Sequence, residues 1–142
     1  VPDDDYAIPF GEANLTREGD HVSIVAIGRM VLFANEAADN LAKAGLHCDV
    51  LDPRTLSPLD ENAILGTVEK TGRLVIVDES NPRCNMATDI SALVAQEAFH
   101  ALKAPIKMVC PPHTPVPFAP ELEDAYLPNA KKIEAAVLDI AG

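Results

Sequence analysis

Positive charge is scarce in this chain. Lysine and arginine together number 11 against 22 aspartates and glutamates, the formal net charge is −11, and no basic run occurs. Nucleic acids and anionic membrane surfaces attract proteins through clustered lysine and arginine, so this composition disfavours both. No apolar run approaches the roughly 20 residues of a membrane-spanning helix. We therefore expect neither a nucleic-acid partner nor a membrane.

Cysteines are also few, and their spacing is irregular. Cys48, Cys84 and Cys110 are odd in number and show no C-x-x-C spacing. A disulfide framework or a zinc site calls for paired or clustered cysteines, so buried free thiols in a reducing compartment are the simplest interpretation. We expect a cytoplasmic protein.

The length of the chain suits one domain. Its 142 residues are enough to bury a hydrophobic core. The sequence starts at Val1 rather than at a methionine and has no signal-like beginning, which indicates a cut end. We predict a single domain over residues 1–142 that is a piece of a larger polypeptide.

Short β-branched runs alternate with segments of helical periodicity along the chain. Residues 74–77, Leu-Val-Ile-Val, are typical of a strand that is buried on both faces. Ser57, Pro58 and Asp60 resemble an N-cap, a first-turn proline and an N3 acid, so a helix is expected to begin there. The predicted strands cover 12–17, 21–27, 46–52, 73–79 and 106–110, and the predicted helices cover 30–44, 58–71, 87–102 and 130–140.

This alternation predicts the class of fold. Strand–helix units joined by short loops require parallel strands with right-handed crossovers and helices on both faces of the sheet. We predict an α/β domain of three layers, α/β/α. Its five-stranded sheet is mostly parallel, with one antiparallel edge strand formed by the first segment, 12–17.

A proline-rich connection, residues 111–129, follows the last predicted strand, and we name it the proline arm. Five of its first ten residues are proline, so we expect it neither to continue a sheet nor to form a helix. Apolar side chains within it favour a stiff arm that lies against a surface. That surface belongs either to a partner, contacted through His113, Phe118 and Tyr126, or to the domain's own sheet edge and helix ends.

Ligands of parallel α/β sheets bind outside the carboxyl ends of the strands. Arg29, Arg54 and Arg83 fall in the loops at that edge, where they are suited to phosphate or carboxylate groups. The sequence therefore offers an anion or effector site as one hypothesis. A dinucleotide site is disfavoured because Gly28 is the only glycine of its loop.

Other residues at the same edge have both catalytic and structural interpretations. Asp78 and Glu79 could serve as acid and base, although acids at strand ends also form turns and ion pairs. Cys84 could be a nucleophile with His113 as its base. His21, His47 and His100 show no ligand spacing. We assign no catalytic, cofactor-binding or metal-binding residue.

Several segments resemble one family in order and spacing. These are residues 24–31 (IVAIGRMV), 52–60 (DPRTLSPLD), 70–79 (KTGRLVIVDE) and 104–106 (API), together with the proline arm. The chain resembles the C-terminal domain of the β subunit of thiamine-diphosphate-dependent 2-oxo acid dehydrogenases (the E1 component), also called the transketolase C-terminal domain. Residues 78–84 and 112–118 are most similar to the acetoin dehydrogenase branch.

The resemblance implies a role in assembly. In that family the glutamate that activates thiamine lies in the β subunit's N-terminal domain, so thiamine diphosphate and Mg²⁺ would belong to the parent enzyme, and this domain alone is expected to be inactive. The implied partners are an E1 α subunit, a second β subunit and the lipoyl-bearing acyltransferase E2. The parent enzyme would cleave acetoin, pyruvate or a branched-chain 2-oxo acid. A free-standing anion- or effector-binding module is the alternative.

Overall fold

The computed structural model describes residue 3 and residues 5–142. Within these residues five strands form one sheet and five α-helices surround it. The strands are β1 (Asn14–Arg17), β2 (Val22–Ala26), β3 (Cys48–Asp52), β4 (Leu74–Val77) and β5 (Lys107–Val109). The helices are α1 (Met30–Lys43), α2 (Glu61–Thr71), α3 (Met86–Glu97), α4 (Pro120–Tyr126) and α5 (Ala130–Ala141). Val1, which the sequence suggests is a cut end, lies outside the described residues.

The strand order across the sheet is β1–β3–β2–β4–β5. Strand β2 pairs in parallel with both β3 and β4, and β4 pairs in parallel with β5. Strand β1 runs antiparallel to β3, with a register shift between Leu15 and Arg17. The prediction of a mostly parallel five-stranded sheet with one antiparallel edge strand is confirmed.

The helices form a layer on each side of the sheet. Helices α1 and α5 pack on one face, where Ile24 of β2 is buried, and α2 and α3 pack on the other, where Val25 is buried. Every residue of β2 is buried because both of its faces are covered and neighbouring strands lie on both sides. The three-layer prediction is therefore correct. No helix in the described ranges is long and apolar enough to cross a membrane.

A polar network, formed by Gly19, Ser23, Asp49, Thr67 and Lys70, fastens α2 to the amino end of the sheet. The carboxylate of Asp49 is 1% exposed. It accepts hydrogen bonds from the Gly19 N–H (2.7 Å), the Thr67 hydroxyl (2.6 Å) and the Lys70 amine (2.6 Å). The Ser23 hydroxyl in turn donates to the Thr67 carbonyl at 2.8 Å. Each buried group has a partner, which is the condition under which burying a charge is tolerated.

Helix α2 begins later than its sequence predicts. Asp60, rather than Ser57, is the N-cap, and its Oδ1 accepts a hydrogen bond from the Ala63 N–H at 3.1 Å. Residues 56–59 form a turn instead, closed by a bridge between Leu56 and Leu59, and the Ser57–Pro58 peptide is cis. Asp60 takes the N-cap position because its second oxygen also accepts a hydrogen bond from the Ala13 N–H at 2.9 Å. These two residues are 47 positions apart in the sequence.

Two other predictions, the end of α3 and the absence of a helix from the proline arm, are also wrong. Helix α3 ends at Glu97 and gives way to a 3₁₀ turn over Phe99–Ala101, rather than continuing to residue 102. The proline arm does contain a helix, α4, which the count of prolines had argued against. Pro120 is at the start of α4, where a missing N–H costs nothing, and no further proline occurs before residue 128.

Candidate functional site

The sheet has its topological switch point between β2 and β4, since the helices that follow these strands lie on opposite faces. A cavity of about 350 Å³ opens there, lined by Ile27, Asp78, Arg83, Cys84 and Asp89 among others. A second cavity of about 400 Å³ lies beside it, outside the carboxyl ends of β2 and β3. This is the edge at which α/β sheets place their ligands.

The acids at this edge form turns and caps. Asp78 is 5% exposed and its Oδ1 accepts a hydrogen bond from the Ser80 N–H at 2.9 Å. Asp52 accepts from the Arg54 N–H at 2.9 Å in the same way. The Oε2 of Glu79 lies 3.8 Å from Nε of Arg29. These contacts agree with the structural interpretation of Asp78 and Glu79 rather than with the catalytic one.

The three arginines of the hypothetical anion site are distributed over separate places. Arg29 pairs with Glu79, and its guanidinium carbon lies 5.7 Å from the centre of the Phe33 ring. Arg54 lines the second cavity together with Asp52, while Arg83 lines the first together with Asp78 and Asp89. The first cavity thus carries one arginine beside two carboxylates, and the second carries one arginine beside one carboxylate. Such a lining is a poor receptor for phosphate or another anion.

The cysteines differ in accessibility. Cys84 is exposed, contrary to the expectation of buried thiols, and its backbone is in the left-handed region with φ 54°. His113, the base that the sequence pairs with this thiol, is not among the residues that line the cavity of Cys84. Burial raises the pKa of Cys48 to about 11 and also raises the pKa of Cys110. Neither group is therefore a ready nucleophile near neutral pH.

A metal centre at this edge would need several ligating side chains close together. Within the described part of the chain, no three histidine, cysteine, aspartate or glutamate side chains lie close enough together to hold an ion. The carboxylates of Asp78 and Asp89 in the first cavity, and of Asp52 in the second, would repel a diphosphate group that carries no metal ion. These residues do not fit thiamine diphosphate with its metal ion.

The proline arm leaves the sheet after β5 and is anchored at both ends. Pro111 and Pro128 are buried. The Tyr126 hydroxyl donates a hydrogen bond to the Thr114 carbonyl at 3.0 Å, which ties the end of α4 back to the start of the arm. Lys132 of α5 donates to the carbonyl of Leu127 at 2.7 Å. The arm therefore has a defined path despite its lack of sheet structure.

Between these anchors the apolar side chains of the arm lie in solvent. Phe118 has 102% of its reference surface exposed, Val116 has 65% and Leu122 has 61%. Of the three predicted partner contacts, His113 and Phe118 are on the surface. Tyr126 is 9% exposed and lies inside the chain, where it holds the arm in place.

A third concave surface has no counterpart in the sequence predictions. An apolar groove of about 480 Å³ lies between the end of α3 and the start of β5, lined by Ala95, Phe99, Leu102 and Ile106 among others. Phe99 is 72% exposed. One signal was available in the sequence, because Phe99 is not on the apolar face of its predicted helix. Leu56, which lines both cavities at the carboxyl edge, was also missed.

Comparison with known proteins identifies the family. The model of the transketolase C-terminal domain matches residues 11–133. The chain belongs to the transketolase C-terminal domain family. Its fold has three layers, with helices on both faces of a sheet that has one antiparallel edge strand, and it is the fold that the family resemblance implies.

Relatives of this transketolase C-terminal domain include β subunits of two oxidoreductases. The chain is 65% identical over 136 residues to the acetoin:2,6-dichlorophenolindophenol oxidoreductase subunit beta of Cupriavidus necator, with 96% of this chain and 40% of that relative covered. It is 40% identical over 133 residues to the pyruvate dehydrogenase E1 component subunit beta of Bacillus subtilis, with 94% and 41% covered. The chain thus spans about two fifths of the length of these relatives.

A solved structure shows the same fold. The split-gene transketolase described as an inactive β4 tetramer superposes with a TM-score of 0.80 at 25% sequence identity, covering 96% of this chain and 44% of that one. The match extends over nearly the whole transketolase C-terminal domain described above, including its sheet.

Proposed function

We propose that this chain is the assembly domain of the β subunit of a thiamine-diphosphate-dependent E1 oxidoreductase. In this proposal it is one domain of a longer subunit, and the proline arm makes contact with another protein. The observation that carries the docking role is the full exposure of Phe118 on an arm anchored at both ends. Aromatic side chains on a preordered segment are effective anchors because little conformational entropy remains to be lost on binding.

The substrate of the parent enzyme is proposed from the relatives. The 65% identity to an acetoin oxidoreductase β subunit, against 40% to a pyruvate dehydrogenase β subunit, favours acetoin over pyruvate. The enzyme would cleave this substrate and pass the acyl unit to a lipoyl-bearing E2. Its other partners would be an E1 α subunit and a second β subunit. Three free cysteines are compatible with the proposed cytoplasmic location.

Thiamine diphosphate and Mg²⁺ would be held elsewhere in the parent enzyme. No three ligating side chains lie together in the described part of this domain, which supports the proposal that the domain alone binds neither group. We expect the 142-residue chain to show no acetoin or pyruvate cleavage with thiamine diphosphate and Mg²⁺ added. Turnover by the fragment at a rate near that of the full enzyme would contradict the assembly role.

Substitution of Phe118 tests the docking role. In the full-length β subunit mixed with its α subunit, we expect Phe118→Ala to weaken assembly by about thirtyfold, as loss of a central interface anchor does. The dissociation constant is measured by light scattering or sedimentation velocity. The melting temperature of the isolated domain should not change, because the ring contacts solvent rather than the core.

Phe99→Ala is the matched control for this experiment. It removes another exposed phenylalanine, which lies on the α3 side of the domain and outside the arm. Equal weakening by the two variants would show that the arm has no special role. Unchanged assembly of Phe118→Ala would favour the other interpretation, in which the arm covers only its own domain.

The alternative function, an anion- or effector-binding module, depends on Arg29, Arg54 and Arg83. The separate placement of these side chains does not support it. Isothermal titration of the domain with inorganic phosphate and with pyruvate checks this directly. Saturable binding that is lost in Arg54→Gln or Arg83→Gln would restore the alternative.

A further inference from the structure

Two histidine side chains lie next to each other at the amino end of the sheet. His21 directly precedes β2 and His47 directly precedes β3, and these strands pair in parallel with Val22 opposite Cys48. Residues at the same register of neighbouring parallel strands lie about 4.8 Å apart and point to the same face. The two imidazole rings accordingly have their centres 5.9 Å apart and their planes tilted by 40°. The residues are 26 positions apart in the sequence, so no local spacing indicates the pair.

The backbone beneath the two rings is held in place. The His21 N–H donates to the His47 carbonyl at 3.0 Å, so the pairing of the strands extends to this position. Gly19 packs closely on the same backbone, since a β-carbon there would lie 2.4 Å from the carbonyl carbon of His47. Its N–H also donates to the Asp49 carboxylate at 2.7 Å. Two ligands mounted on rigid strands lose little conformational freedom when they bind one ion.

Asp20 can orient the His21 ring for a ligand. Its Oδ1 lies 2.8 Å from Nδ1 of His21, and the backbone nitrogen of His47 lies 3.1 Å from the same ring nitrogen. A proton on Nδ1 is donated to the carboxylate, and this tautomer leaves the lone pair on Nε2. Histidines that bind metals usually donate their other ring N–H to a carboxylate, a carbonyl or water in this way. The His47 N–H then binds water, which can reach it because His47 is exposed.

The separation of the rings fits a shared metal ion. An ion bound to an imidazole nitrogen at about 2.1 Å lies about 3.2 Å from the ring centre, so one ion can join rings whose centres are up to about 6.4 Å apart. The observed 5.9 Å is within that reach, and both side chains are exposed, so the rings can turn towards an ion. Among the described residues no third ligating side chain joins the pair, which leaves the other coordination positions to water. The formal net charge of −11 also favours a cation as the ligand.

We propose that His21 and His47 form a surface site for a divalent transition-metal ion that favours imidazole ligands, such as Ni²⁺, Cu²⁺ or Zn²⁺. Both histidines bind the ion directly, and Asp20 is a positioning residue that acts through the His21 ring. Mg²⁺ is a poor occupant, because it prefers oxygen ligands. The site lies at the opposite end of the sheet from the two cavities, and the proposal does not depend on the assembly role.

Isothermal titration of the tag-free 142-residue chain with Ni²⁺ tests the site. We expect saturable binding of one ion per chain, which is lost in His21→Ala and in His47→Ala. Asp20→Asn should bind about tenfold more weakly, the usual effect of losing the carboxylate behind a histidine ligand. The matched controls are His100→Ala and His113→Ala, which remove exposed histidines elsewhere and should bind Ni²⁺ like the wild type. Mg²⁺ should give no saturable binding.

Paramagnetic Ni²⁺ also locates the ion in the wild-type chain. The NMR amide signals of residues 20–22 and 46–48 should broaden when Ni²⁺ is added, and those around His100 should stay sharp. This measurement decides the question even if one of the variants fails to fold. The metal site is overturned if the wild type binds no Ni²⁺, if the broadening lies elsewhere, or if His21→Ala and His47→Ala bind as tightly as His100→Ala.

Discussion

The two ends of the sheet differ in how far their side chains make contacts within the chain. At the amino end, the polar network built around Asp49 pairs each of its buried groups with another group of the same chain. At the carboxyl end, the proline arm leaves Phe118, Val116 and Leu122 in solvent. No buried side-chain nitrogen or oxygen in the described part of the chain lacks a hydrogen bond. The side chains that lack contacts within the chain are therefore apolar ones on the surface.

This difference indicates which end the fold depends on. A buried carboxylate with three donors is costly to disturb, because removing it leaves several donors without acceptors. An exposed phenylalanine contributes little to folding, since it is as accessible as in the unfolded chain. The free energy of unfolding should therefore depend more on the Asp49 network than on the exposed side chains of the arm.

The largest expected effect comes from Asp49→Ala. It leaves the Thr67 hydroxyl, the Lys70 amine and the Gly19 N–H without their acceptor, and should lower the free energy of unfolding by about 3 kcal/mol. Asp52→Ala, on the same strand at the carboxyl end, removes one hydrogen bond and should cost about 1 kcal/mol. Urea denaturation of the 142-residue chain measures both. Equal losses would remove the contrast between the two ends.

Thiol labelling should show the same contrast as a difference in rate. We expect iodoacetamide at pH 8 to modify exposed Cys84 and to leave buried Cys48 intact until the chain unfolds. The pKa of Cys48 is raised from 9.0 to about 11, first by burial and then by Asp49, while Arg17 opposes the shift. Site-resolved mass spectrometry measures each rate, with Cys84→Ser as the control.

The Cys48 thiol also predicts how the free energy of unfolding changes with pH. The unfolded Cys48 thiol ionises near 9.0 and the folded one only near 11, so the neutral form is favoured in the fold. Its contribution to stability is complete below pH 9 and should be lost as the pH rises towards 11. Cys48→Ala should flatten the decline in urea midpoint over that range, whereas a decline of equal slope in the variant would assign it to other groups.

The smallest effect should come from Gly66→Ala in α2. Nothing lies within 4 Å of the position that a β-carbon would take there, so the substitution should raise the free energy of unfolding by about 0.5–1 kcal/mol. Gly19→Ala is the opposite case, because its β-carbon would lie 2.4 Å from the backbone nitrogen of Cys48. Thermal melts compare them, and a destabilised Gly66→Ala would reveal packing around α2 that the structure does not show.

Sequence patterns predicted the sheet well for a physical reason. Strands such as 74–77 are buried on both faces and are therefore apolar throughout, while the buried residues of α1 recur at the spacing of one helical face. Both patterns can be recognised from a few consecutive residues, without knowledge of the contacts between distant ones. The antiparallel edge strand predicted over 12–17 is confirmed by the pairing of β1 with β3.

Contacts between distant residues explain what the sequence did not reveal. Asp60 rather than Ser57 caps α2 because of its bond to Ala13, which only the fold brings close. The sequence around Asp49 shows no special feature, because Thr67 and Lys70, which donate to its carboxylate, belong to α2. At the candidate site, the prolines predicted a stiff arm but left open whether Phe118 is exposed, and the burial of Tyr126 accompanies its bond to Thr114.

The buried prolines at the two ends of the arm, Pro111 and Pro128, have a consequence for how the surface can change. The segment between them is fixed at both ends and places few residues in the core, so most substitutions within it leave the sheet unaltered. An equivalent segment from another member of the family could be inserted between these two points as an interchangeable unit. If the arm contacts a partner as proposed, substitutions between these two prolines would change that contact and leave the sheet as it is.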